Sequence, residues 1–327
     1  MYRSPAVFCV FALLCACDEA TFRPVEDDAS VRTCETTIVS TNPRNGSMEA
    51  YYRQAIEFEL SEPDPTAVVF ADFAGEQTTR DDGLVVVYTP DEPLEPLTEY
   101  TVGLDYCRGT PEIGFYTSEL GLLLDEDMDL LGRTYALALD EVRFLAGDGL
   151  EEVAATLVSP TMLVSAHAVD EDGIHLRVAL PSDEDPETQD YCIRTVELPV
   201  ADFVEAPFFS LTATDVSFGA SSATVDLRRL DFTGTVSPDG SWMGGGTFAA
   251  VLDTRDIAQI IAGSSPETLC AIAAGLGVPC DMCPQDGAEW CVTLDVLEVT
   301  AEWLPEVEID PILEANADPR CGGSSTH

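Results

Sequence analysis

Residues 208–251 read FFSLTATDVSFGASSATVDLRRLDFTGTVSPDGSWMGGGTFAAV, and this stretch decides the fold. Short runs of Phe, Leu, Val and Thr predict strands at 208–214, 222–236 and 241–251. Pro238-Asp239-Gly240 separates the last two as a hairpin. Gly244-Gly245-Gly246 is followed by neither Lys-Ser nor Lys-Thr, so no phosphate loop is read there. Three glycines inside a strand instead predict a bend or bulge.

Upstream, residues 134–139, 161–169 and 175–180 continue the period-two pattern. The turn Asp170-Glu171-Asp172-Gly173 places His167 and His175 on either side of a hairpin. A metal held by those two imidazoles needs a third ligand, which the sequence does not name. Both histidines therefore read as satisfied or solvent-facing, His327 is remote, and neither metal nor cofactor is assigned.

Downstream the pattern turns helical. Thr254 is placed to cap a helix over 255–262, with Ile257, Ile260 and Ile261 on one face. Ser265 is placed to cap a second, with Pro266 at its first position and Leu269, Ile272 and Leu276 buried. The loop CDMCPQDGAEWC (280–291) leads into a strand at 292–303 whose alternation breaks near Leu297. Residues 121–304 thus read as a β-rich barrel or sandwich with a two-helix insertion near 255–276. Trp242, Trp290 and Trp303 are the candidate walls if that domain holds an apolar ligand. Residues 305–327 read as a loose acidic tail pinned by Cys321.

Between the domains, 121–132 is a charged joint. Its Asp125-x-Asp127-x-Asp129 lacks the glycine and terminal glutamate of a calcium loop. Residues 34–120 form the first domain, with strands at 36–40, 56–60, 67–73, 84–89, 100–104 and 114–117. Asn42-Pro43…Asn45-Gly46, Ile56…Phe58, Tyr88-Thr89-Pro90…Pro93-Leu94, Leu97-Thr98…Tyr100-Thr101-Val102 and the closing Phe115-Tyr116-Thr117 lie across it. Over residues 36–119 these resemble the SbsA-type bacterial Ig-like domain. The resemblance implies a β-sandwich acting as a spacer or structural module at a cell surface, with no catalytic residue among the matched positions. The fold class expected for the whole chain is all-β.

The first residues, MYRSPAVFCVFALLCAC, carry one charge, Arg3, before an uncharged stretch at 6–16 of signal-peptide length. Leu14-Cys15-Ala16-Cys17 resembles the bacterial lipobox. That implies a signal peptide over 1–17, lipidation of Cys17, an acidic tether over 18–33 and an exported, membrane-anchored protein. Eight further cysteines remain, Cys34, Cys107, Cys192, Cys270, Cys280, Cys283, Cys291 and Cys321. An even number in an exported chain reads as a disulfide framework, with Cys34 and Cys107 flanking and stapling the first domain. A zinc site among Cys270, Cys280, Cys283 and Cys291 fits no common spacing.

With 15 arginines, no lysine and 60 acidic residues, the formal charge is −45. That disfavours nucleic acid as a partner. No Gly-x-Ser-x-Gly, His-Glu-x-x-His or nameable nucleophile–base pair is present, so no enzyme is read. The expected role is structural or interactive, among envelope proteins; the alternative is a small apolar ligand held in the second domain. Non-reducing mass spectrometry of the exported chain should return a mass lighter by eight hydrogens, one per cysteine after Cys17. A full complement of thiol hydrogens would remove the framework.

Overall fold

The alternating apolar residues build two antiparallel systems in the computed structural model, which describes residues 34–139, 142–145, 161–182, 184–220, 223–260 and 263–321. The described residues from Thr36 onward belong to one compact unit. Its first system comprises β1 (Ile38–Asn42), β2 (Ile56–Leu60), β3 (Val68–Ala71), β4 (Gly75–Arg80), β5 (Val85–Pro90), β6 (Glu99–Asp105) and β7 (Glu112–Tyr116). These form two small sheets, ordered β1-β2-β5-β4 and β3-β6-β7. Their inward residues share one core, with Ile56, Phe58, Val102, Leu104 and Phe115 at most 1% exposed. Strand β4, GEQTTR, escapes the sequence reading because it is an exposed edge with no apolar residue to betray it.

The second system follows: β8 (Thr134–Ala138), β9 (Arg143–Phe144), β10 (Thr161–Asp170), β11 (Gly173–Ala179), β12 (Val196–Glu197), β13 (Phe208–Ala220), β14 (Ala223–Val236), β15 (Trp242–Asp253), α1 (Thr254–Ile260), α2 (Pro266–Gly275), β16 (Asp281–Met282) and β17 (Glu289–Leu304). Eight of these strands hydrogen-bond in the order β12-β11-β10-β8-β17-β15-β14-β13 and curl into a nearly closed antiparallel barrel. The choice between barrel and sandwich is therefore settled for the barrel. Strand β13 runs well past residue 214, because Asp215–Ala220 ladder against β14 despite their weak pattern.

Two glycine-dependent approaches tie the pieces together. At Gly245 (φ +61) a Cβ would lie 2.2 Å from the Tyr51 ring, so this bulge in β15 is where the first system seats on the barrel. The Tyr51 hydroxyl also bonds Thr235 Oγ1 at 2.8 Å, and burial raises its pKa. At Gly173 (φ +140) a Cβ would meet the Ala201 carbonyl at 2.1 Å. That carbonyl receives the Ile174 N–H at 3.0 Å. The break near Leu297 is real: Gly246 opposes Val299 while Phe248 opposes Val296, one residue more on β17, and Glu298 there has φ +61.

The junction is also ionic. Glu57, 9% exposed, accepts from Arg80 Nη1 and Arg143 Nη1, each at 3.1 Å. A buried carboxylate needs such partners, since desolvation alone costs several kcal/mol. Arg143 Nε continues to Glu298 at 2.9 Å, which Asn42 Nδ2 also contacts at 3.1 Å.

Several expectations need correction. Asp253, not Thr254, caps α1, its Oδ1 accepting the Arg255 N–H at 2.9 Å. Ser265 does cap α2, through the Thr268 N–H at 3.3 Å. Its Ile272 is 45% exposed and Ala273 is buried instead. The helix packs through Ala273 and Leu276, in one cluster with Val278, Val292 and Phe144. The 121–132 joint is not a free linker: Leu130 is buried in the barrel core, with Leu124 and Met128 against it.

Nor is the described part of the tail loose. Ile309 and Ile312 are 6% and 4% exposed, Ile309 packing on Leu163 and Ala179. Gln189 exchanges two hydrogen bonds with the Asp310 backbone, both 2.9 Å. The Cys192–Cys321 disulfide closes the arrangement, and Arg320 lies 3.7 Å over the Tyr191 ring. Arg320 grips Asp318 through two 2.8 Å bonds, which hold that carboxyl down to about 2.

A depressed carboxylate stabilises above its unfolded pKa of about 4 and loses that contribution as pH falls through its folded value. Protection of residues 309–318 against hydrogen exchange, taken relative to the intrinsic rate at each pH, is therefore expected to fall between about pH 4 and 2. In Asp318→Asn the protection should be lower at neutral pH and flat across that window. An unchanged acid step in the variant would place the titrating group elsewhere.

Candidate functional site

The outer face of the β10–β11–β12 corner gathers the chemistry. Ala166 pairs Leu176 whereas Ala168 pairs His175, so His167 is the extra residue of a bulge. Inward neighbours Ala166, Ile174 and Leu176 are buried, which leaves His167, His175 and Arg177 facing outward. The two imidazole centroids stand 5.9 Å apart at 73°. His167 Nε2 lies 3.2 Å from Glu197 Oε2, and His175 Nε2 lies 3.1 Å from Asp170 Oδ2. Arg177 Nε donates to the other Glu197 oxygen, and its Nη1 to the Ile309 carbonyl at 3.2 Å. Burial holds His167 below the ordinary imidazole range, although Glu197 pulls it upward. Its Nδ1 is out of solvent and makes no well-formed hydrogen bond.

Beside this corner the barrel does not fully close. Asp202 and Ser210 exchange both backbone bonds, at 2.7 and 3.0 Å, and seal one end of the β12/β13 seam. Further along, Val196, Leu198 and Pro199 face Asp215 and Val216 across an open groove of about 520 Å³. Arg194 spans it to the Ser217 carbonyl at 3.3 Å, and Leu313, 82% exposed, overhangs it.

Among the described residues, a continuous apolar core occupies the barrel. Phe209, Phe232 and Phe248 stack edge to face at 5.4 and 6.5 Å. The void beside Phe209, Phe232, Met243 and Val299 measures about 10 Å³, at most one water. None of the three tryptophans lines it. Trp242 packs on the first system's core. Trp303 sits at the rim under the Arg133 guanidinium, 4.1 Å above its ring. Trp290 is half-buried, its carbonyl accepting from Thr254 Oγ1 at 2.8 Å.

The cysteines pair as Cys192–Cys321, Cys270–Cys280 and Cys283–Cys291, and Cys34 and Cys107 are disulfide-bonded too. This framework marks an extracytoplasmic protein. Asp253, Cys283 and Cys291 converge within 4.8 Å, but the two sulfurs are bonded to each other and offer no thiolate. Asp253 is instead a structural corner, held by Arg255 and, at 2.7 Å, by Gln285 Nε2.

Cys17 and the 1–33 segment lie outside the described residues, as does His327. Sequence reading brought His167 and His175 close but missed Glu197, Arg177 and Asp170 as their partners. The bulge and the two-residue β12 leave no periodic trace. The chain matches no protein-family model and no curated protein sequence.

Because the interior is packed, Phe209→Ala should lower stability by about 3–5 kcal/mol. Thermal unfolding with calorimetry reads this directly. A loss under about 1 kcal/mol would mean the core had collapsed to fill the space.

Proposed function

We propose that this chain is an exported lipoprotein, anchored through Cys17, with a structural or interaction role in the cell envelope and no catalysis. The observation that carries this reading is the side-chain-filled barrel locked to a two-sheet module. Tyr51 on Gly245, and Glu57 between Arg80 and Arg143, make a rigid stalk and head. The disulfide framework supports export, and the lipobox-like Leu14-Cys15-Ala16-Cys17 supports the anchor. The motif resemblance over 36–119, together with its two packed sheets, supports an Ig-like spacer that holds the barrel away from the membrane.

The void lined by Phe209, Phe232, Met243 and Val299, about 10 Å³, is too small to hold such a ligand inside the barrel. One observation keeps binding as a second reading, the surface groove of about 520 Å³ at the β12/β13 seam. An apolar or amphipathic ligand there would lie on the barrel rather than within it.

Detergent phase partition of the full chain, expressed in a lipoprotein-processing bacterium, tests the anchor. The protein should enter the detergent phase with an acylated N-terminal peptide beginning at Cys17, and Cys17→Ser should move it to the aqueous phase. Aqueous wild-type protein with an unmodified N-terminus would sink the anchor. Native mass spectrometry of the same preparation separates the two readings. A chain free of organic ligand favours the structural role; the extra mass of an organic molecule, shed on denaturation, favours the groove.

A further inference from the structure

We propose that His167, His175 and Glu197 form a binding site for a divalent transition-metal ion of the zinc type on the outer face of the barrel, with Asp170 beside it. The chain has three histidines in 327 residues, and two of them stand ring to ring with centroids 5.9 Å apart. Two imidazoles on one tetrahedral ion, each with a metal–nitrogen bond of about 2.0 Å, have centroids roughly 5 Å apart. The ring spacing is thus close to that of a shared ion, while the nitrogens of His175 do not yet converge with His167 Nε2 and Glu197, so its ring must turn to reach them.

The third ligand, unnamed by the sequence, is supplied by the fold. His167 Nε2 and Glu197 Oε2 are 3.2 Å apart. Two donors on a tetrahedral ion with bonds of about 2.0 Å are separated by roughly 3.3 Å. That edge of the coordination polyhedron already has its length. His175 completes the set by turning its ring from Asp170, where its Nε2 rests at 3.1 Å, toward His167. Its side chain is 26% exposed and that of His167 27%, so an ion reaches both from solvent.

The surroundings suit such an ion. Arg177 fixes Glu197 through one oxygen and leaves the other to the site, the outer support that orients a ligating carboxylate. Glu197 and Asp170 more than balance Arg177, and the chain's formal charge of −45 draws cations. Two imidazoles select zinc, copper or nickel over calcium and magnesium, which prefer oxygen ligands alone.

The test is calorimetric titration of the exported full chain with Zn²⁺, after removal of metal by chelator and with excess Ca²⁺ occupying the acidic coat. One Zn²⁺ per chain should bind. His175→Ala and Glu197→Gln should each weaken binding by at least about 10- to 100-fold. Cu²⁺ in place of Zn²⁺ should show a paramagnetic resonance spectrum split by two imidazole nitrogens, reduced to one in His175→Ala. Should His167→Ala fail to fold, the His175→Ala and Cu²⁺ measurements stand without it. Three results would each overturn the proposal: no uptake by the wild type, uptake that Ca²⁺ displaces, or uptake unchanged in His175→Ala.

Discussion

A sheet that curls onto itself must fill its own interior from every strand, and this constraint governs the rest of the molecule. Among the largest contributors are Tyr135 and Phe209, the latter 1% exposed and lying over Gly234, where a Cβ would stand 2.7 Å from its ring. Large rings fit only where a neighbour is small. Phe232 and Phe248 then extend the aromatic column across β14 and β15. Long strands joined this way cannot all keep a perfect register. The bulges at Gly244–Gly246, Leu297–Glu298 and His167 take up the mismatch. Each then acquires a second consequence. The first seats Tyr51, the second presents Glu298 to Arg143, and the third presents an imidazole to Glu197.

Electrostatics follows the same plan. With so few basic residues, the positive charge is placed where elements meet. Arg143 joins Glu57 to Glu298, Arg53 joins the first system to Glu205, and Arg255 joins Asp253 to Asp286. Arg177 joins β11 to β12 and to the tail, while Arg320 joins Asp310 to Asp318. The guanidinium suits this work because its planar fork serves two carboxylates at once, which an ammonium does less well. The large excess of carboxylates over arginines gives a net negative charge that favours solubility and cation attraction over contact with anionic partners.

Much of this was legible in the chain itself, because short-range physics leaves local marks. Period-two alternation located Ile56–Leu60, the 161–179 hairpin and the long strands after Phe208. Ser265-Pro266 marked a helix start, Pro238-Asp239-Gly240 a turn, and the cysteine count an oxidised framework. What stayed hidden carries no such mark: β4, with nothing apolar to bury, and the two-residue β12. The docking of Ile309 and Ile312 also stayed hidden, since its partners lie over a hundred residues away.

The sequence by itself thus determined the class of the fold, the turns, one of two helix caps and the number of disulfide-forming cysteines. The turns and the cap rest on interactions between residues a few positions apart, and the cysteine count on composition alone. Only the tertiary structure decided that the sheet closes to a barrel and which cysteines pair. It also decided that Phe209, Phe232 and Phe248 pack together and that Glu197 meets His167, with His175 beside it on Asp170. Those outcomes depend on register across strands distant in sequence, where a shift of one residue would exchange the inner face for the outer.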